Sequence, residues 1–197
     1  MVTTIIFDLY DVILHGMKGV EVKIGEIIGQ KIVEKFHLNK ESNLFFHGLI
    51  SEDEYWNKLV EKYQWKITFI RLKQLVREMM VEIEGARELL LKLKNNGYKL
   101  GLLSINCKEW VYYCEEKFKY HNYFHSVMYS FEVGISKPDP QSYILILDKL
   151  KVTPNECLFI DDNIKNIESA KIVGLQTIQF FDSKQLAKDL RKIHIRL

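Results

Sequence analysis

TTIIFDLYDVIL, residues 3–14, runs an apolar segment straight into a carboxylate at Asp8. Unbroken apolar residues of this length suit a strand buried on both faces, as parallel sheets contain. The strand reads as Thr4–Leu9, and similar runs recur at Lys99–Ser104, Ser126–Tyr129, Glu156–Ile160 and Gln176–Phe180. Segments of helical period separate most of them. Trp110, Val111 and Cys114 share one face of a helix over Lys108–Lys117, as do Tyr143, Ile146, Leu147 and Leu150 further on. Asn95-Asn96-Gly97 and Gly174 stand where such helices should stop. This alternation predicts an α/β fold with a parallel sheet.

The stretch from about His15 to Glu82 breaks the rhythm, with amphipathic helix candidates near Val20–Phe36, Glu52–Tyr63 and Thr68–Val81. An insertion directly after the first strand should overhang the strand C-termini, because right-handed crossovers put every βα loop at that edge. The 197 residues suit one well-buried domain with a modest insertion. Their 47% hydrophobic and 27% charged content is that of a globular protein. The 28 basic and 26 acidic residues, net +2, form no basic stripe, which speaks against a nucleic-acid partner. No apolar run reaches the roughly 20 residues of a membrane span. Asp8 and Asp11 interrupt the first apolar run, and no basic segment precedes it, so it reads as a strand and not a signal peptide. The expected compartment is the cytoplasm, with monomer and homodimer both open. Cys107, Cys114 and Cys157 are odd in number and lack metal-type spacing, so they read as reduced thiols.

Asp8 alone is a weak signal, since an Asp opening a βα loop is often a helix cap. Three later segments add to it. LGLLSIN brings Ser104 to a strand end, ISKPDP puts Lys137 before a proline-started helix, and CLFIDDNIKN places Asp161 and Asp162 at another strand end. Four polar tips at one sheet edge, in this order and spacing, resemble the haloacid dehalogenase-like hydrolases. SKPDPQSY and FIDDNIKNIESAKIVGL carry the resemblance most specifically.

The resemblance implies a three-layer, Rossmann-like α/β core with a mainly parallel sheet, formed by residues 1–14 and 83–197, and a small α-helical cap at 15–82. It implies Asp8 as a nucleophile that forms a covalent aspartyl intermediate. Ser104, with Ile105, Asn106 and their backbone, would bind the oxygens of the transferred group. Lys137 would hold the nucleophile ionised and neutralise developing charge. Asp161 and Asp162 would repel each other without a cation, so with Asp8 and the backbone carbonyl of Tyr10 they are expected to form a Mg²⁺ site. Asp162 is the direct ligand in this reading, Asp161 lies outside it, and Asn166 orients the group. The cap aromatics Phe45, Phe46, Trp56 and Trp65, with His47, read first as packing and second as substrate contacts.

Three positions depart from the family pattern. Phosphatases of the family mostly carry a second Asp where this chain has Tyr10. A phenol with a pKa near 10 can protonate an alkoxide but is a poor base near pH 7, so hydrolysis of the intermediate should be slow. Asp11 stands where the family favours glycine, and Ile105 where Asn often follows the Ser; Asp11 or His15 is a candidate replacement base. The expected function is a Mg²⁺-dependent phosphatase of a small phosphorylated metabolite. Tyr10 is also what the family's 2-haloacid dehalogenases show, making metal-independent dehalogenation an alternative. Against it stand the acidic pair, which would repel a substrate carboxylate, and the lack of any arginine before Arg71. A catalytically impaired binder of a phosphorylated ligand or partner is the third reading.

Overall fold

The computed structural model describes residues 1–32, 36 and 39–197. Five strands, β1 (Thr4–Phe7), β2 (Lys99–Ser104), β3 (Ser126–Tyr129), β4 (Cys157–Asp161) and β5 (Gln176–Gln179), form one sheet in the order β3-β2-β1-β4-β5. All four pairings are parallel. Between β1 and β2 come α1 (Val20–Ile28), α2 (Lys40–Phe46), α3 (Glu52–Tyr63), α4 (Phe69–Met79) and α5 (Ala86–Asn95). Then α6 (Lys108–Phe118) precedes β3, α7 (Ser130–Val133) and α8 (Pro140–Leu150) precede β4, α9 (Ile164–Ile172) precedes β5, and α10 (Ser183–Lys192) follows it.

β1 is buried along its whole length, and its side chains divide between the two faces. Ile5 and Phe7 join a large apolar cluster with α5, α6 and α10, whereas Ile6 joins Leu103 and Phe159 under α8 and α9. That division makes the three-layer, Rossmann-like architecture expected from the sequence. On β2, a Cβ at Gly101 would lie 2.7 Å from Leu150 Cδ1, so α8 approaches the sheet over a position that only glycine leaves clear.

Two helices differ from expectation. The helix expected over Val20–Phe36 ends at Ile28, because Gly29 turns left-handed at φ 68° and returns its N–H to Gly25. Part of that expected helix, residues 33–35, lies outside the described residues. An unexpected helix, α2, starts where the Asn39 side chain accepts the Ser42 N–H, and it buries Phe45. β1 is shorter than expected because the N–H groups of Ile13 and Leu14 both turn back to the Leu9 carbonyl.

The strand order reverses around β1, whose neighbours are β2 on one side and β4 on the other. Crossovers leave that point for opposite faces and open a crevice at the strand C-termini. The segment carrying α1 to α4 leaves and re-enters above this crevice through paired chains: His15 donates to Val81 O at 2.8 Å and Ile83 to Ile13 O at 2.9 Å. Cys107, Cys114 and Cys157 are free and buried. Among the described residues, no helix is long and apolar enough to cross a membrane.

Candidate active site

The crevice collects the acids. Asp8 follows β1 directly, Asp161 ends β4 and Asp162 comes next. One carboxylate oxygen from each lies within 4.8 Å of the others. Parallel pairing of β1 with β4 sets this up, since Phe7 and Ile160 are partners in register. Lys137, arriving from the crossover between β3 and β4, inserts its ammonium between two of them, 2.8 Å from Asp8 Oδ1 and 2.7 Å from Asp161 Oδ2.

Asp161 is completely buried and fully engaged. Besides Lys137, it accepts the Asn163 backbone N–H at 2.8 Å and the Asn166 amide at 3.0 Å on both oxygens. Asn166 in turn is placed by the Tyr143 hydroxyl, which donates to its carbonyl at 2.9 Å. Asp8 Oδ1 also receives the Leu9 N–H at 2.7 Å. Asp162 is more open, with Lys18 Nζ 3.9 Å from its Oδ2.

One ammonium stands among three carboxylates in a buried crevice, and burial together with their mutual charge disfavours ionisation. Burial pushes the Asp8 carboxyl up to about 8; Lys137 opposes this and the charge of Asp161 adds to it. Burial and the charges of Asp161 and Asp11 push Asp162 up to about 6. Lys137 is raised as well: burial disfavours its charge, but the two adjoining carboxylates outweigh that and keep it an ammonium.

Ser104 ends β2 at the same edge and is 2% exposed, its hydroxyl 3.4 Å from the Ile105 carbonyl. Asn106 is buried. Its backbone N–H donates to Ser130 Oγ at 3.1 Å and its Oδ1 accepts the Cys107 N–H at 2.9 Å, but its amide nitrogen has no protein partner among the described residues. The Tyr10 hydroxyl is directed into a sulfur pocket, 3.8 Å from Met80 Sδ and 3.7 Å from Cys114 Sγ, with its ring edge-on to Trp110. Burial pushes its ionisation well above that of a free phenol. Asp11 takes φ 59°, the left-handed region where glycine is at home and Asp is among the better tolerated substitutes. Its Oδ1 accepts the Gly16 N–H at 3.3 Å and lies 3.9 Å from His15 Nδ1. Phe45, Trp56 and Trp65 are buried packing residues, and His47 closes α2 by a bond to Asn43 O.

Several contributors escape a reading of the sequence. Asn163 has a signal, because an Asn opening the helix after Asp-Asp is a cap whose own N–H faces backward. Lys18 has none, as its approach to Asp162 depends on the turn before α1. Ser130 ties the site to the helices above: it donates to the Phe46 carbonyl at 2.5 Å, a contact over 84 positions that no local pattern announces.

Residues 5–180 match the family model of the haloacid dehalogenase-like hydrolases, and the chain belongs to that family. It is similar to flavin mononucleotide hydrolase 1 of Arabidopsis thaliana, 30% identical over 154 residues that make up 78% of this chain and 62% of that protein. The chain thus spans less than two thirds of that relative's length. It is 24% identical to D-ribitol-5-phosphate phosphatase of Bacteroides thetaiotaomicron over 91% of this chain and 92% of the other. A solved haloacid dehalogenase family enzyme from the same bacterium, in complex with magnesium and inorganic phosphate, superposes with a TM-score of 0.78. It covers 93% of this chain and 96% of its own at 24% identity, which speaks for the fold alone.

Proposed function

We propose that this chain is a Mg²⁺-dependent phosphatase of a small phosphorylated metabolite, with Asp8 as the nucleophile. The observation that carries this reading is the meeting of Asp8, Asp161 and Asp162, with Lys137 bridging the first two. The donor set fits Mg²⁺: burial first, and then neighbouring carboxylate charge, raises Asp8 and Asp162, and a hard cation taking one or two carboxylates together with substrate oxygens would offset both. Asp8, Asp162 and the Tyr10 backbone carbonyl would hold it, and Asp161 is left to orient Lys137. Bound there, the ion would supply charge stabilisation for the transferring phosphoryl group.

The Asp8 carboxylate attacks phosphorus, the bond to the leaving oxygen breaks, and an aspartyl phosphate forms; water then returns phosphate and the free carboxylate. Ser104 and the backbone of Ile105 and Asn106 bind the phosphoryl oxygens, while Lys137 counters the charge that accumulates there. The Tyr10 hydroxyl, committed to its sulfur pocket, is not assigned the proton transfers, and hydrolysis of the intermediate is the slow step. Residues 15–82 act as a helical cap over a core of 1–14 and 83–197; the paired chains at Ile13–His15 and Val81–Ile83 support that boundary.

The test is phosphate release from a panel of monoesters with Mg²⁺ or with chelator. Release should require the metal, and Asp8→Asn should lower it by about 10³-fold or more. No release from any monoester, with no aspartyl phosphate trapped, removes the proposal. Tyr10 favours a second reading, dehalogenation of a 2-haloacid; halide release indifferent to chelator would establish it instead.

A further inference from the structure

We propose that the side-chain amide of Asn106 is a specificity-determining donor: it meets a neutral oxygen of the leaving group, and so selects phosphate monoesters of polyols and sugars over those of plain alkyl chains. The proposal rests on the phosphatase reading above and gives it a substrate class. Asn106 is completely buried. Its Oδ1 accepts the Cys107 N–H at 2.9 Å, but Nδ2, on the same carboxamide, meets no acceptor among the described residues. A buried amide donor without an acceptor has lost its water for no return, and an oxygen brought by a ligand restores the bond.

The place of Asn106 in the fold decides which part of the substrate supplies that oxygen. Ser104 and Tyr129 are partners in register at the ends of β2 and β3. Asn106 comes two residues after Ser104, and its backbone N–H donates at 3.1 Å to the hydroxyl of Ser130, the residue after Tyr129. In a sheet ordered β3-β2-β1-β4-β5, it therefore lies on the side of Ser104 away from Asp8. A donor beyond Ser104 is placed for the group to which the phosphoryl is attached. The helices above converge on the same point: the Ser130 hydroxyl donates to the Phe46 carbonyl at 2.5 Å, and a Cβ on Gly48 would lie 3.1 Å from Phe131 O. In-line displacement sends the leaving group away from Asp8 toward those helices. Asn106 is scarcely more closed off than the residues assigned to the phosphoryl group, since Ser104 is 2% and Lys137 3% exposed. Admission of substrate parts the helices from the core for all three alike.

The surroundings favour a neutral oxygen. Cys107, at the N-cap of α6, gives the first turn of that helix no side-chain hydrogen bond, so the helix start beside Asn106 also calls for an acceptor. A second anion would find no free counter-charge there. Glu109 Oε1 takes the Glu52 N–H at 3.3 Å, Arg77 is committed to the Glu52 carboxylate, and the ammonium of Lys108, itself an exposed residue, lies over the Tyr112 ring. A hydroxyl or carbonyl oxygen needs no such partner.

The experiment measures kcat/KM for phosphate release from glycerol 3-phosphate, propyl phosphate and 3-phosphoglycerate in wild type and in Asn106→Leu, which keeps the volume and removes the donor. Asn106→Ala takes its place should the leucine variant not fold. Binding of the same esters is followed by calorimetry with Mg²⁺ in an Asp8→Asn background, where no aspartyl phosphate forms. Wild type should favour the glycerol ester over the propyl ester about tenfold, the discrimination one hydrogen bond gives, and over 3-phosphoglycerate as well. Loss of the Asn106 amide should bring the glycerol and propyl esters level. General damage to the fold lowers both together and leaves their ratio unchanged, so the ratio isolates the contact. Equal turnover of the two by wild type, or a ratio that survives the substitution, overturns the subsite while the phosphatase reading stands; the amide then holds only a buried water. Preference for 3-phosphoglycerate overturns the neutral-oxygen class. If no ester is hydrolysed, the phosphatase reading falls, and the binding ratios decide the subsite by the same criteria.

Discussion

At Tyr10 the chemistry of a residue is decided by what its tip touches. The phenol contacts two sulfur atoms, weak partners whose loss costs little. Tyr10→Phe should therefore leave kcat within about twofold and stability within about 1 kcal/mol. A tenfold fall in kcat, measured with any monoester the enzyme turns over, would show the hydroxyl transferring a proton after all. Asp11 is the complementary case. Its left-handed backbone explains why glycine is favoured there, and the Gly16 N–H occupies one of its oxygens. Asp11→Gly should leave the fold intact, because glycine adopts φ 59° without strain.

At the scale of elements, a single carboxylate fastens the helices above the site to the core. Glu52, at the start of α3 and 1% exposed, is gripped by Arg77 of α4 through two bonds of 2.7 and 2.6 Å. The indole N–H of Trp110, on α6 of the core, donates to the same carboxylate at 2.7 Å. Phe45 and Phe46 of α2 pack edge-on against that indole. Removing only the cation leaves a buried charge without its counterion, the costly way to break such a pair. Arg77→Met should cost roughly 3 kcal/mol in urea unfolding, and Arg77→Met combined with Glu52→Leu should cost less than the single change. Equal losses in the two variants would mean that Glu52 is not held by Arg77. No sequence pattern announces this network, because Glu52 stands in Ser-Glu-Asp-Glu, which reads as an exposed helix start.

For the whole molecule, the acidic cluster couples folding to pH and to the proposed Mg²⁺. With its folded value raised to about 8, Asp8 holds its proton more tightly in the folded chain than in the unfolded one, where a carboxyl titrates near 4. The stability this contributes is complete below about pH 4 and is lost as pH rises through about 8. Asp162 acts in the same sense up to about 6. In chelator, Tm should fall between pH 5 and pH 8 as these groups deprotonate. Mg²⁺ should raise Tm more at pH 8 than at pH 5, since its ligands must lose their protons to bind it. A Mg²⁺ shift that is larger at pH 5 would contradict the proposed ligand set.

Much of the fold is legible in the order of residues alone. All five strands are found within one or two residues of the runs that predict them; β1 and β4 are mostly apolar because both their faces are buried, whereas the edge strands β3 and β5 are partly exposed. The strand-end positions of Asp8, Ser104, Asp161 and Asp162 are legible for a related reason: a polar residue that ends a buried strand has only the crevice edge to occupy. Helix ends read less well where glycine or an Asn cap governs them, as at Gly29 and Asn39. The amino-acid sequence by itself thus determined the order of elements and the kinds of groups gathered at the sheet edge. Only tertiary structure decided that Lys137 bridges Asp8 and Asp161, that Tyr10 turns its hydroxyl into sulfur, and that Glu52 is buried. Those outcomes depend on distances between segments far apart in the chain, and burial strengthens or weakens a charge according to neighbours that local periodicity does not encode.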